Sequence, residues 1–296
     1  MKSARAFAPG NISCIFVIKK TKNPATSGSL GMGFTVNKGV AVTVEKISNN
    51  KKNSKNIIKI SKYKRNTEKS QVFFNNKKIF FPAVNYAIGE LAKWPVMVKI
   101  KSELPLGCGF GLSGASALAA AYALGKLFGL KTPKKELAFT AHMADVASLS
   151  GLGDVVNQYY GGFLVKYESS CKFKAIRMPI KNKAIYCKYF SPIETKKVIS
   201  NEKIKNRINN AGIKALNKIK ALNDKTRNLK NIIKISKEFS INSRLLKNKK
   251  VIDTIKNIEN DNGNASMIML GNAVFSDIKF KGSKKLIIKD KGAYLL

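Results

Sequence analysis

Residues 105–118 read Pro-Leu-Gly-Cys-Gly-Phe-Gly-Leu-Ser-Gly-Ala-Ser-Ala-Leu, a glycine-dense turn that runs straight into an Ala/Leu-rich helical pattern. Gly107, Gly109, Gly111 and Gly114 allow turns and close backbone approaches that a Cβ would block. The helix start beyond them offers N–H groups without intrahelical acceptors and a partial positive charge. Such a turn seats an anion, and phosphate is its natural occupant. The expected cradle runs from Pro105 through Gly107, Gly109, Gly111, Ser113, Gly114 and Ala115 to Ser116.

Three other glycine-rich nucleotide motifs fail here. Gly109, Gly111 and Gly114 satisfy GxGxxG, but the dinucleotide fingerprint needs a following strand that ends in an acid, and a second helical pattern at 136–149 follows instead. Gly125-Lys126 is followed by Leu127 far down the helix, so the ATP-loop pattern GxxxxGK[ST] is absent. Neither His-Arg-Asp nor Asp-Phe-Gly occurs, which excludes the protein-kinase set.

Residues 105–113 resemble the Pro-x-Gly-x-Gly-x-Gly-x-Ser motif of the galacto-, homoserine-, mevalonate- and phosphomevalonate-kinase (GHMP kinase) superfamily. Ala-Pro-Gly-Asn at 8–11 resembles its first motif, and Gly-Leu-Gly-Asp-Val at 151–155 with Gly161-Gly162 resembles the segment carrying its catalytic aspartate. Gly-Asn-Ala-Ser-Met-Ile-Met-Leu-Gly at 263–271 resembles its third loop. Within the superfamily, residues 7–13, 27–34, 141–145 and 151–156 are most similar to the archaeal pantoate kinases. Two positions depart: Asn11 stands where a basic residue is common, and Asp145 where the metal-binding acid is usually Glu. The resemblance implies an α+β, two-lobed GHMP-kinase-like fold with a ribosomal-protein-like N-terminal βαβ domain and an α+β C-terminal domain. It further implies ATP and Mg²⁺, and transfer of the γ-phosphoryl group to pantoate on the route to coenzyme A. Mevalonate and homoserine kinases are the neighbouring alternatives, and a basic RNA-binding protein sharing the fold is the alternative from another class.

The chain has 296 residues, enough for two lobes, which are expected at 1–171 (nucleotide-binding and catalytic) and 172–296 (α+β). Pro9, Gly10 and Asn11 interrupt the first apolar run and Lys19-Lys20 follows it, so no secretory signal is expected and the chain reads as cytoplasmic. Cys14, Cys108, Cys171 and Cys187 form no CxxC pair and read as reduced thiols without a metal. A net charge of +38 raises the question of nucleic acid. Arg occupies only positions 5, 65, 177, 207, 227 and 244, however, and the rest of the charge is Lys among abundant Asn and Ile. Readers of nucleic acid favour arginine's planar fork, so the charge reads as compositional. The expected partners are ATP and a small acceptor, with no specific nucleic acid, no membrane, and a homodimer left open.

Strands are expected at 12–19, 39–47, 57–63, 72–74, 96–100 and 162–167, with a Gly/Ser-rich turn at 27–33, a solvated connection at 46–55 and helices at 83–93, 113–129 and 136–149. Residues 184–189 predict a strand, 194–257 an almost continuous run of helix, and 266–288 a return to β-type sequence.

Phosphoryl transfer needs a phosphate cradle, a metal and a group that orients or deprotonates the acceptor hydroxyl. Asp154, exposed by a glycine turn yet followed by a Val-Val pair, is the candidate for the last role, which the resemblance also implies; read plainly, it caps a helix. The resemblance implies that Ser113 lies on the magnesium side, with Asp145 the candidate ligand beside it, where oxygen ligands are required. Ser113 also suits a helix N-cap, and Asp145 a solvated helix face. For the acceptor, the candidates are Ser29, His142 and Lys166, whose plain readings are a turn serine, a structural histidine and a surface lysine.

Overall fold

The computed structural model describes residues 1–47 and 67–296; the expected strand at 57–63 and most of the connection at 46–55 lie outside the described residues. Two long strands, β1 (Ser3–Lys19) and β2 (Gly28–Lys46), pair antiparallel along their length. Their register slips between Pro9 and Asn11 and again between Ser13 and Ile15. A bulge turns side chains out of the regular alternation, and here the slips bracket Asn11 and Ser13. The Gly/Ser-rich stretch expected to turn at 27–33 is instead the start of β2. Its glycines serve close approach between strands: a Cβ on Gly33 would lie 2.7 Å from the Ile12 carbonyl oxygen.

β3 (Gln71–Phe74) and β5 (Val96–Ser102) run parallel, joined through β4 (Lys77–Lys78) and helix α1 (Pro82–Leu91). Among the described residues the first sheet has the order β12-β1-β2-β5-β3-β4, where β12 is Tyr294–Leu295. β6 (Phe163–Lys166) joins it on β2, β7 (Ile176–Arg177) on β6, and β12 (Tyr294–Leu295) on β1. Alternation along β2 and β5 sends Val40, Val42, Val44, Val98 and Ile100 to one face, where they are buried. On β1 and β2 packs α2 (Leu112–Leu127), which also contacts α1 and α3 (Lys134–Ala147). Because α2 is covered on all sides, every residue from Gly114 to Gly125 is buried. The Ala-rich composition of that stretch is what lets the layers close on it.

The second sheet has the order β11-β8-β10-β9, from β8 (Ala184–Pro192), β9 (Ala265–Met267), β10 (Gly271–Ser276) and β11 (Lys284–Ile287). Between β8 and β9 the expected run of helix is divided into α5 (Thr195–Ile199), α6 (Glu202–Lys220), α7 (Leu229–Asn242) and α8 (Lys249–Asn260). Asn201, Asn228 and Asn248 each accept a backbone N–H of the following helix and so set the starts of α6, α7 and α8. Both helices α6 and α7 are tied to β1. Asn209 bonds the N–H and C=O of Ile18 at 2.7 and 3.1 Å, and the Ser236 hydroxyl donates to the Cys14 carbonyl at 3.0 Å.

The tight cover on α2 has a direct consequence. Ala120→Leu inserts a larger side chain where none fits and is expected to cost about 1–3 kcal/mol of stability. Chemical denaturation monitored by circular dichroism measures it, and an unchanged midpoint would contradict the packing described.

Candidate active site

Six segments of the chain meet around one cavity of about 380 Å³. It is lined by Ser13 from β1, Ser29 from β2, Gly107 to Ser113 before and in α2, Gly151 to Asp154 before α4 (Asp154–Tyr160), Lys166 from β6, and Met269 with Leu270 from the β9–β10 turn. The glycine loop is shaped by its left-handed backbone, with φ of +77°, +85° and +61° at Gly107, Gly109 and Gly111. Space enforces the same choice: a Cβ on Gly109 would lie 2.8 Å from the Met269 carbonyl oxygen, and one on Gly111 3.0 Å from Gln158 Nε2.

Gly111 precedes the first turn of α2, and its carbonyl accepts the Ala115 N–H at 3.1 Å. The N–H groups of Leu112, Ser113 and Gly114 are therefore left without intrahelical acceptors, at the positive end of a 16-residue helix. The free part of the cradle is shorter than the sequence implies. Ala115 uses its N–H inside the helix, and Pro105, Gly114, Ala115 and the fully buried Ser116 do not line the cavity.

Below this turn lies Asp145, on α3 and only 1% exposed. Ser113 donates to Ser150 at 2.8 Å, and Ser150 to Asp145 Oδ1 at 2.7 Å, while Oδ2 has no partner among the described residues. A Cβ on Gly114 would lie 3.3 Å from that orphaned oxygen. Burial pushes the Asp145 carboxyl up to about 7, helped by the charge of Asp154 and opposed by the Ser150 and Ser113 hydroxyls. An unpaired buried carboxylate oxygen among hydroxyls fits a small hard cation, whose charge would also offset the burial. Among the described residues no three His, Cys, Asp or Glu side chains cluster as a complete metal site. The donor set thus suits an ion that takes its remaining oxygens from phosphate and water.

Asp154 opens α4 and is partly exposed to the cavity. Its Oδ1 accepts from Asn11 Nδ2 at 2.6 Å and from the Ser13 hydroxyl at 3.1 Å, while among the described residues none donates to Oδ2. Burial raises this carboxyl, and Lys166, Asn11 and Ser13 pull it back. Lys166 is 4% exposed and donates to Asn157 Oδ1 at 2.7 Å and to the Gly153 carbonyl at 3.2 Å. Burial lowers it to about 8, against the pull of Asp154. Of its three N–H donors, one is left for a ligand.

Ser29 reaches the cavity from a strand rather than from the expected turn, with its own N–H held by Ser170 Oγ at 2.9 Å. His142, expected to face the acceptor, does not line the cavity. It is buried against Phe139 and Phe173, with Nε2 3.0 Å from the Ser27 carbonyl oxygen, and burial lowers it to about 4, so it is neutral near pH 7. Its place is behind the strand that carries Ser29. Sequence reasoning missed Ser13, Ser150 and Asn157. Asn157 had a legible signal, since it lies three residues after Asp154 on the same helix face; the strand bulges that aim Ser13 left none.

Residues 79–162 match the GHMP kinases N terminal domain. Pantoate kinase of Methanocaldococcus jannaschii is 30% identical over 274 residues, covering 91% of this chain and 90% of that protein. Pantoate kinase of Methanospirillum hungatei is 29% identical, covering 92% and 86%. Among solved structures, a phosphotransferase related to the CoA biosynthesis pathway superposes with a TM-score of 0.80 at 21% identity, covering 99% of this chain and 98% of that one. The chain belongs to the GHMP kinase family of ATP-dependent phosphotransferases, and within that family it groups with the pantoate kinases.

The folded pKa of Asp145 lies above the ordinary 3.8, so between about pH 4 and 7 the folded chain holds more protons than the unfolded one and loses stability as pH rises. Asp145→Asn removes that loss. Its melting temperature, relative to the unmodified protein without divalent cations, is expected to climb between pH 5 and pH 8; parallel curves would contradict the burial of an unpaired carboxylate.

Proposed function

We propose that this chain transfers the γ-phosphoryl group of ATP to the primary hydroxyl of pantoate, forming 4-phosphopantoate for coenzyme A synthesis. The observation that carries the reading is the convergence on one cavity of three devices: the N-terminus of α2, the hydroxyls of Ser113 and Ser150 with the buried Asp145 behind them, and Asp154 with one carboxylate oxygen open. Phosphate oxygens sit on the N–H groups of Leu112, Ser113 and Gly114, in a glycine loop that leaves room for them. Ser113 and Asp145 hold Mg²⁺, which when bound offsets charge on the phosphate oxygens. Asp154 Oδ2 accepts the hydrogen bond, and then the proton, of the attacking hydroxyl. Breaking the bond between the γ-phosphorus and its bridging oxygen leaves ADP.

At the acceptor end, the free N–H of Lys166 takes the pantoate carboxylate, and Ser29 the secondary hydroxyl. Leu30 and Met32 form an apolar wall suited to the gem-dimethyl group. His142 serves by holding the Ser27 carbonyl, and through it the strand that presents Ser29. Residues 1–171 carry the nucleotide and catalytic groups, 172–296 close the cavity with Thr195, Lys196, Met269 and Leu270, and the reaction belongs in the cytoplasm.

Asp154→Asn is expected to keep ATP binding and to lower kcat by roughly 10²–10⁴-fold; turnover at the unmodified rate would remove Asp154 from the chemistry. Lys166→Ala is expected to raise KM for pantoate far more than KM for ATP. A coupled ADP assay over pantoate, mevalonate and homoserine checks the acceptor, and turnover of either alternative with none of pantoate would overturn it.

A further inference from the structure

Lys166 and Asp154 do not touch through a direct ion pair; two neutral amides stand between them. Lysine can only donate, so the Asn157 atom 2.7 Å from Lys166 Nζ is its carbonyl oxygen, and its NH₂ group then faces the other way. That NH₂ donates to Asn11 Oδ1 at 2.9 Å, which fixes the Asn11 amide in turn, and Asn11 Nδ2 donates to Asp154 Oδ1 at 2.6 Å. Every hydrogen bond of the chain runs in one direction, from cation to carboxylate. Asn11 is 0% and Asn157 1% exposed, so water cannot stand in for either amide.

We propose that Asn157 is a positioning residue for the transfer: with Asn11 it links Lys166 to Asp154 and holds the carboxylate so that Oδ2 faces the acceptor hydroxyl. The inference rests on the reading of Asp154 as proton acceptor. Separation of the charges is what gives the arrangement its use. A direct pair would occupy the groups that substrate needs, whereas the amide chain leaves Asp154 Oδ2 and one Lys166 N–H open. It also joins the two ends of the acceptor site, because the lysine proposed to take the acceptor's carboxylate is the lysine that orients the base. The hydrogen bonds oppose the effect of burial on Asp154. Among the described residues, the other charged or titratable groups facing this network are Asp145 and His142 of α3, which feel the charges of Asp154 and Lys166 respectively.

Asn157→Asp tests the chain, since a carboxylate still accepts from Lys166 but has no donor for Asn11 Oδ1. Expected are a fall in kcat of roughly 10–100-fold, KM for ATP unchanged within about a factor of two, and an acid limb of the kcat pH profile displaced to higher pH. Asn11→Ala is expected to displace the same limb, and the Asn11→Ala/Asn157→Asp double variant to be no slower than the slower single, as links of one chain require. A folded Asn157→Asp with the unmodified kcat and acid limb, or losses that add in the double variant, would overturn the proposal. If Asn157→Asp does not fold, Asn11→Ala decides alone through the position of its acid limb. Asp154→Asn separates the two levels: wild-type turnover there brings down the role of Asp154 and the chain with it, whereas a slow Asp154→Asn beside a normal Asn157→Asp brings down the chain only.

Discussion

Two carboxylates are held beneath and beside the N-terminus of one helix, and the rest of the site depends on that apposition. Burial raises the cost of ionising both Asp145 and Asp154, and the charge of Asp154 raises it further for Asp145. The compensation is local: the positive end of α2, the hydroxyls of Ser113 and Ser150, the amide of Asn11 and the nearby Lys166. Absent side chains make the geometry possible. Gly111 and Gly114 bring α2 against α4 and Asp145, and Gly153 brings the turn before α4 against Ser29 and Lys166.

On the proposed reading, this arrangement divides the labour between the acids. Asp145, with an oxygen that has no hydrogen-bond partner among the described residues, suits a metal that arrives with the nucleotide. Asp154, hydrogen-bonded on one oxygen and open on the other, suits a hydroxyl that must be aimed and relieved of its proton. Neighbouring acids with different surroundings take different roles because each environment favours a different charge partner.

Much of the site was legible because its parts depend on residue types that few other structures demand. The glycine loop, Ser113, Asp154 and the 263–271 segment are contiguous signals, and they converge. The strands expected at 96–100 and 162–167 are found at Val96–Ser102 and Phe163–Lys166, and the paired helices α2 and α3 followed from their apolar spacing. What was hidden depends on tertiary pairing. Residues 27–33 look like a turn until β1 and β6 flank them on both sides, at which point their glycines become the means of strand contact. His142 carries no label distinguishing a ligand contact from a strand support. The breaks within 194–257 were written in Asn201, Asn228 and Asn248, but a lysine- and asparagine-rich composition hides caps among many similar residues.

Phosphorus-31 NMR of the products formed from ATP and pantoate tests the central claim most directly, since it reads the bond that is made. The account predicts one new phosphomonoester, coupled to the methylene protons of the primary carbinol, appearing in step with ADP and only with a divalent cation present. Release of inorganic phosphate with no ester, or an ester coupled to the secondary carbinol proton, would contradict it.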